Sequence, residues 1–252
     1  MSSTNNKLEM PFWSHVEELR SRLLKSLFSV IIFSAVAFIY SDLILDFLKG
    51  PIEPMIKSNL DAVGNPENKE INLQVLGYAD GFMVYIYVSL IVGLMFSIPV
   101  ILYQIWKFVS PAINRKLSFI TFIMFSMSTV FFAVGAYFSY KTILPVSISF
   151  FTSITGNSDF EYNITMANHL SFSIWMMLIG GLIFQLPIIS IILKKLGIID
   201  HHLLKRGRRY SILGIFIFAA LLTPPDPFSQ ILFAVPLLIL YEISIIIISF
   251  MK

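Results

Sequence analysis

Apolar residues run along this chain in long stretches that short polar segments separate. A run of about 18 or more apolar residues can cross a bilayer as a helix. We predict an all-α membrane protein whose fold is a bent bundle of six transmembrane helices. The predicted spans are about 26–40, 82–106, 117–140, 170–193, 210–222 and 228–251.

The segment before the first span has a different, amphipathic pattern. Val16, Leu19 and Leu23 fall on one face of a helix, while Glu18 and Arg22 fall on another. This helix continues into the first span without a break. We therefore predict a single domain over 1–252, with a cytoplasmic amphipathic segment at 1–25 and the membrane bundle at 26–251.

The last two predicted helices are short. Only 13 residues separate Arg209 from Thr223, and as a helix they extend roughly 20 Å against a hydrocarbon core of about 30 Å. The proline-rich turn at 223–227 ends this helix. We expect the bilayer to thin locally around it.

The distribution of Lys and Arg gives the orientation. Most of the 18 basic residues lie in the N-terminal segment, at 107–116, at 194–209 and at the C-terminus. Because loops rich in Lys and Arg stay in the cytoplasm, we predict that both termini are cytoplasmic. The two larger outer loops are predicted at 42–80 and 141–168.

Composition excludes several classes of protein. The hydrophobic fraction is 56% and only 13% of residues are charged, too few to cover a soluble domain. With no cysteine, a disulfide framework and a thiolate metal site are ruled out. We expect no cofactor, no metal and no nucleic-acid partner, since topology explains the basic loop at 205–209. No cleavable leader is predicted.

Two polar residues within the spans are candidates for function, because polar groups in hydrocarbon are costly. Gln185 is near the middle of the fourth span, and Glu242 is ten residues from the C-terminus. Gln185 could instead form only an interhelical hydrogen bond, and Glu242 could be a neutral carboxyl bonded to a neighbouring helix. From the residues alone both alternatives stay open.

Three motifs in order resemble those of the TatC family, the multi-spanning subunit of the twin-arginine (Sec-independent) protein translocase. They are HVEELRSRL at 15–23, PVILYQIW at 99–106, and LTPPD at 222–226 followed by LYE at 240–242. The resemblance extends over about 11–250. It implies the same six spans with cytoplasmic termini.

The resemblance implies a function as well. The family supplies the signal-peptide receptor and core subunit of a translocase that moves folded proteins using the proton-motive force, which is not an enzymatic role. Implied partners are TatA- and TatB-type single-span subunits, precursors with twin-arginine signal peptides, the lipid bilayer, and further copies of the chain in a homo-oligomer. The implied location is the bacterial cytoplasmic (inner) membrane, with an organelle membrane as the alternative.

The resemblance also implies site residues. Carboxylates at the cytoplasmic surface are natural partners of the planar arginine fork. The implied signal-peptide contacts are Glu18, Arg20, Glu17, His15, Phe108 and Gln185. The implied docking stretch for a single-span partner is Ala220, Leu221, Leu222 and Thr223. The remaining motif residues, structural or functional, are Pro51, Pro99, Pro224, Pro225, Asp226 and Glu242.

One position departs from the family pattern. Many relatives carry a second carboxylate just after the Pro-Ala pair of the first cytoplasmic loop, where this chain has Leu117. We therefore expect Glu17, or an acidic residue of a partner subunit, to supply the second charge.

Two other functions fit a bent apolar bundle. A secondary transporter would use Gln185 and Glu242 to line a substrate path. A membrane-embedded enzyme is a weaker alternative, because the sequence contains no nucleophile–base set, phosphate loop or metal-ligand spacing.

Overall fold

A computed structural model describes residues 12–50, 77, 79–113, 118–155, 165–222 and 227–250. Every regular element in these residues is helical, as predicted. The helices are α1 (Phe12–Ile39), α2 (Ser41–Lys49), α3 (Asp80–Ile113), α4 (Ser118–Phe138), α5 (Leu144–Thr155), α6 (Met166–Ile183), α7 (Leu186–Lys195), α8 (His201–Leu222) and α9 (Pro227–Phe250).

Within the described residues, five helical segments are long and apolar enough to cross a membrane. They are Val16–Ile39, Asp80–Phe108, Phe122–Phe151, Met166–Lys195 and Pro227–Phe250. Each contains most of one predicted span. The predicted fifth span forms the second half of α8, whose first half carries the charged residues of 201–209.

The two predicted outer loops were partly wrong, because both contain helix. All of α2 except Ser41 lies within 42–80, and α5 lies within 141–168. The third span does not end at Tyr140 but continues into α5 through a π-helical turn, Ser139–Ile143. The single charge of Lys141 does not end the helix, since Lys141 is exposed while Tyr140 and Ile143 beside it are buried.

The fourth span is broken rather than continuous. It consists of α6 and α7, which two turn residues, Phe184 and Gln185, separate. Pro187 follows at the start of α7. Proline has no N–H to donate to the preceding turn, so the backbone bends here.

The core consists of two clusters that share α6. One contains Leu144, Ile179 and Phe233, from α5, α6 and α9. The other contains Val88 and Ile174, from α3 and α6, together with residues of α1, α2 and α4. Helix α6 therefore lies at the centre of the bundle.

Small residues allow two pairs of helices to approach closely. A methyl group added at Gly93 of α3 would collide with the backbone of Ser34 on α1, and one added at Gly135 of α4 would lie 2.5 Å from the carbonyl oxygen of Gly180 on α6. Helix association in membranes favours such small residues, because they permit close backbone contact. These contacts fix the α1–α3 and α4–α6 crossings.

Polar contacts hold the end of α2 against the bundle. The Tyr140 hydroxyl donates to the Phe47 carbonyl at 2.7 Å, and the two rings stack with centroids 4.4 Å apart. Nε2 of the buried His169 lies 3.2 Å from the Leu48 carbonyl oxygen. The Phe47 carbonyl also accepts the Gly50 N–H at 3.2 Å, so these side-chain contacts add to the backbone bonding at the C-terminus of α2.

Candidate functional site

Glu18 and Arg22 form an ion pair near the start of α1. Nε of Arg22 donates to Oε1 of Glu18 at 3.0 Å, and Nη2 of Arg22 donates to the same oxygen. The side chains of Arg22 and Glu18 are only 14% and 24% exposed. Four residues apart on a helix, they are neighbours on one face, so the helical spacing produces the pair directly.

The pair also contacts α3. Nη1 of Arg22 lies 3.5 Å from Oε1 of Gln104. The predicted contact residue Phe108 is four residues further along α3 and partly buried, which places it on the same face of that helix as Gln104. The predicted motif in α3 therefore meets the predicted motif in α1 through Gln104, which sequence analysis did not single out.

Glu17 and Arg20 lie apart from this pair. Both are exposed, and both line a groove of about 770 Å³ between α1 and α3. The side chain of Arg20 faces the groove, while Glu18 is engaged by Arg22. The reason is helical geometry, since residues two apart on a helix do not face each other.

The groove has a polar part and an apolar part. The polar part is lined by Glu17, Arg20, Ser21 and Lys25, and Gln104 contributes from α3. The apolar part is lined by Leu24, Leu27, Phe28, Ile31 and Val100. The open side of α1 exposes these apolar side chains, with Phe28 at 64% and Ile31 at 58%.

Several predicted residues fall outside the described part of the chain. The His15 and Leu222 side chains are not described, although both residues lie within helices. Five predicted residues and the departure from the family pattern lie wholly outside the described residues: Pro51, Thr223, Pro224, Pro225, Asp226 and Leu117.

Gln185 is buried at the break between α6 and α7. It is 6% exposed, and its Nε2 donates to the Ser128 carbonyl on α4 at 3.0 Å. The Ser128 hydroxyl in turn accepts a hydrogen bond of 3.0 Å from Nε1 of Trp106. Gln185 thus forms the interhelical hydrogen bond that sequence analysis gave as one of its two alternatives.

Glu242 forms an ion pair with a neighbouring helix and is not buried. Its Oε2 accepts a hydrogen bond of 2.7 Å from Nη2 of Arg208 on α8, and both side chains are nearly half exposed. The neighbouring Tyr241 hydroxyl donates to the Leu204 carbonyl at 2.8 Å. Glu242 and Gln185 are therefore bonded to different helices, α8 and α4.

The end of α8 exposes apolar residues. Ala220 is exposed and Leu221 is 78% exposed, so this predicted docking stretch presents an uncovered face. Pro99 lies inside α3, where it lines an apolar cavity of about 460 Å³ together with Phe47 and Thr129. We assign Pro99 no polar role.

Asp200 immediately precedes α8. The Lys194 ammonium group hydrogen-bonds to its carboxylate and lowers the pKa of Asp200, and the His201 N–H adds to the effect. A carboxylate next to the N-terminus of a helix also interacts favourably with the helix dipole. The negative charge is thus held at this junction.

The chain is similar in sequence to known translocase proteins. The family model described as "Sec-independent protein translocase protein (TatC)" matches residues 14–236. A protein of that name from Campylobacter jejuni is 35% identical over 238 residues, which are 93% of this chain and 92% of the relative. One from Desulforapulum autotrophicum is 34% identical over 94% of this chain and 83% of the relative.

Solved structures agree with this similarity. A crystal structure described as the twin arginine translocase receptor TatC superposes with a TM-score of 0.76 at 31% identity, over 93% of this chain and 98% of that one. A second, described as the same receptor in DDM, gives a TM-score of 0.78 at 32% identity, over 93% and 99%.

Proposed function

The chain belongs to the TatC family, and from this premise we propose that the cytoplasmic end of α1 contacts the arginine pair of signal peptides. As a family member the protein is a receptor component of the Sec-independent, twin-arginine protein translocase, and it is a multi-pass membrane protein. This is a transport function, and we assign no catalytic role to any residue.

The observation that carries the proposal is the pair of adjacent carboxylates on α1. Glu18 is held by Arg22 in a partly buried position, while Glu17 faces the open groove. A guanidinium group forms its strongest hydrogen bonds with carboxylates. Two successive arginines of a signal could therefore meet two successive carboxylates whose side chains point in different directions.

Glu17 is also the candidate to replace the second carboxylate, which this chain lacks at position 117. It is exposed and forms no ion pair with another described residue. We propose that Glu17 supplies the second charge, with Arg20 nearby restricting access to the groove. An exposed charge pair contributes at most about 1 kcal/mol, so the apolar part of the signal must add affinity.

We propose that this apolar part lies along the bundle near the break at Gln185. The amide of Gln185 is engaged with Ser128, so Gln185 would shape the break rather than contact the signal through its own polar group. Leu182 and Ile189, on either side of the break, are 51% and 46% exposed and would provide the apolar contact.

We further propose six spans in a single domain, with both termini in the cytoplasm. The predicted fifth span, α8, joins the five long apolar segments as an additional crossing, because its contacts run antiparallel to α9. Gln230 Nε2 donates to the Phe216 carbonyl at 2.9 Å near the start of α9, and Glu242 reaches back to Arg208 near its end. Helix α8 therefore runs alongside the crossing helix α9 between these two contacts, which are roughly 18 Å apart along α9.

The exposed end of α8 is the proposed docking site for a TatA- or TatB-type single-span subunit. Ala220 and Leu221 expose apolar surface where a single helix could pack against α8. Assembly with further copies of this chain, and transport driven by the proton-motive force, complete the proposal. Neither requires a nucleotide or metal site in the chain.

Site-specific photocrosslinking tests the recognition proposal. A photoreactive residue replaces Glu17, Glu18 or, as a matched control, the exposed Leu23 on the other side of α1. We expect positions 17 and 18 to crosslink to a precursor with a twin-arginine signal, and neither to crosslink to its twin-lysine variant. Equal crosslinking to both precursors would contradict arginine recognition at this site.

A further inference from the structure

The groove between α1 and α3 contains two cations that its own residues leave unpaired. Arg20 and Lys25 line its polar part, and among the described residues neither forms an ion pair. Ser21 and Gln104 add polar groups beside them. Glu17 offsets one of the two charges, so this part of the groove keeps a net positive charge.

The apolar part of the groove continues from these cations towards the middle of the membrane. From Arg20 to Ile31 the helix advances roughly 16 Å. Leu24, Leu27 and Phe28 lie between them and are 55%, 55% and 64% exposed. The predicted first span begins just after Lys25, which puts the cations at the interface and the apolar side chains in the hydrocarbon.

The geometry points to a binding site for an anionic phospholipid of the cytoplasmic leaflet. We propose that its phosphate lies between Arg20 and Lys25, and that one acyl chain follows Leu27, Phe28 and Ile31 against Val100. Basic pockets at this depth bind anionic head groups, and a groove that opens sideways to the bilayer is filled from the bilayer. The choice of leaflet rests on the orientation proposed above.

Charge distinguishes this occupant from a signal peptide. Arg20 and Lys25 would repel the arginines of a signal and attract a phosphate, so the inner part of the groove favours the lipid. The proposed arginine contact is made at Glu17, which lies at the opposite end of the groove lining from Ile31. The two ligands therefore occupy neighbouring positions, with the lipid deeper in the membrane.

Native mass spectrometry of the purified full chain tests the site without any precursor protein. The chain is given equal amounts of phosphatidylglycerol and phosphatidylcholine with identical acyl chains, and the retained lipids are counted. Each cation near an anionic surface raises the affinity about fivefold. Two cations and the opposing charge of Glu17 leave one net positive charge, so we expect a preference of about fivefold for phosphatidylglycerol.

Two pairs of variants locate the site. The double variant R20Q/K25Q should lose the preference, while R206Q/R209Q, which removes two exposed cations of α8, should keep it. Val100→Phe should reduce the retention of both lipids by filling the groove. Val134→Phe, at a half-exposed position of α4, should leave retention unchanged.

Three results would overturn the proposal. The first is equal retention of the two lipids by the unaltered chain, and the second is equal loss of preference in both double variants. The third is that a photoreactive residue at Phe28 labels a precursor or a second copy of the chain instead of lipid. Because recognition of the precursor is measured separately from positions 17 and 18, failure here would leave the receptor proposal intact.

Discussion

Replacing Arg22 with glutamine should tighten the binding of a twin-arginine signal peptide. Arg22 already donates two hydrogen bonds to Oε1 of Glu18, so in the proposed contact an incoming arginine would share that carboxylate with a resident guanidinium group. A pair of this kind, four residues apart on a helix, is worth about 0.3–0.5 kcal/mol when exposed and up to about 1 kcal/mol at a favourable site. Both side chains are less than a quarter exposed, which puts the pair at the upper end. The expected gain is about two- to fivefold in affinity.

The assay is equilibrium binding of a fluorescent signal peptide to the purified chain in detergent. Lys25→Gln is the matched control, because it removes one positive charge from the same helix without releasing Glu18. We expect the change in the logarithm of the affinity to be less than half as large for Lys25→Gln as for Arg22→Gln. Raising the salt concentration should reduce both effects, since exposed charges are screened.

Two outcomes would refute this reasoning. Weaker binding by Arg22→Gln would mean that Arg22 orients Glu18 for the ligand instead of competing with it. Equal gains from Arg22→Gln and Lys25→Gln would mean that only the overall charge of the helix matters. Thermal unfolding of both variants establishes that either result comes from a folded protein.

Three further predictions test the packing, the broken helix and the topology. Gly135→Ala should lower stability by about 1–3 kcal/mol, and with it the melting temperature, because the added methyl group would meet the backbone of α6. Gly214→Ala, which has open space around it, should leave the melting temperature unchanged, and equal shifts would contradict the close α4–α6 contact. Gln185→Leu should lower the stability measured by thermal unfolding by about 0.6–1.7 kcal/mol and should leave crosslinking from position 18 in place. Loss of that crosslink would give Gln185 a direct role in binding the signal. The chain has no native cysteine, so single cysteines can be labelled with an impermeant maleimide. Lys205→Cys should react only from the cytoplasmic side and Leu221→Cys only from the outer side. Labelling of both from one side would contradict α8 as a span.

Much of the helical architecture could be predicted because apolar runs report directly on burial in lipid. The predicted span 228–251 corresponds closely to α9, Pro227–Phe250. The same rule failed at Lys141, because one charge at the exposed side of a helix does not require the helix to end. It also missed α2, Ser41–Lys49, which is too short to give a membrane-crossing signal and is fixed by long-range bonds from Tyr140 and His169.

The candidate site was predictable only where its contacts are local. The Glu18–Arg22 pair follows from helical spacing, since four residues bring two side chains to one face. The Arg208–Glu242 pair joins positions 34 residues apart, and no local pattern gives that separation. The bond from Gln185 to the Ser128 carbonyl was also invisible, because any residue could supply the accepting backbone group. Sequence could identify the polar member of that contact and not its partner.

The attachment of α1 to the bundle suggests how recognition could be communicated. Helix α1 approaches α3 closely at Ser34 and Gly93, well away from the carboxylates. Near its cytoplasmic end, the polar contact between the two helices passes from Glu18 through Arg22 to Gln104. A ligand that takes Glu18 from Arg22 therefore alters the same guanidinium group that contacts α3. If Glu18 is the arginine contact, as proposed, Arg22 would link recognition to the position of α1 against α3, and Arg22 is therefore the most informative residue to change.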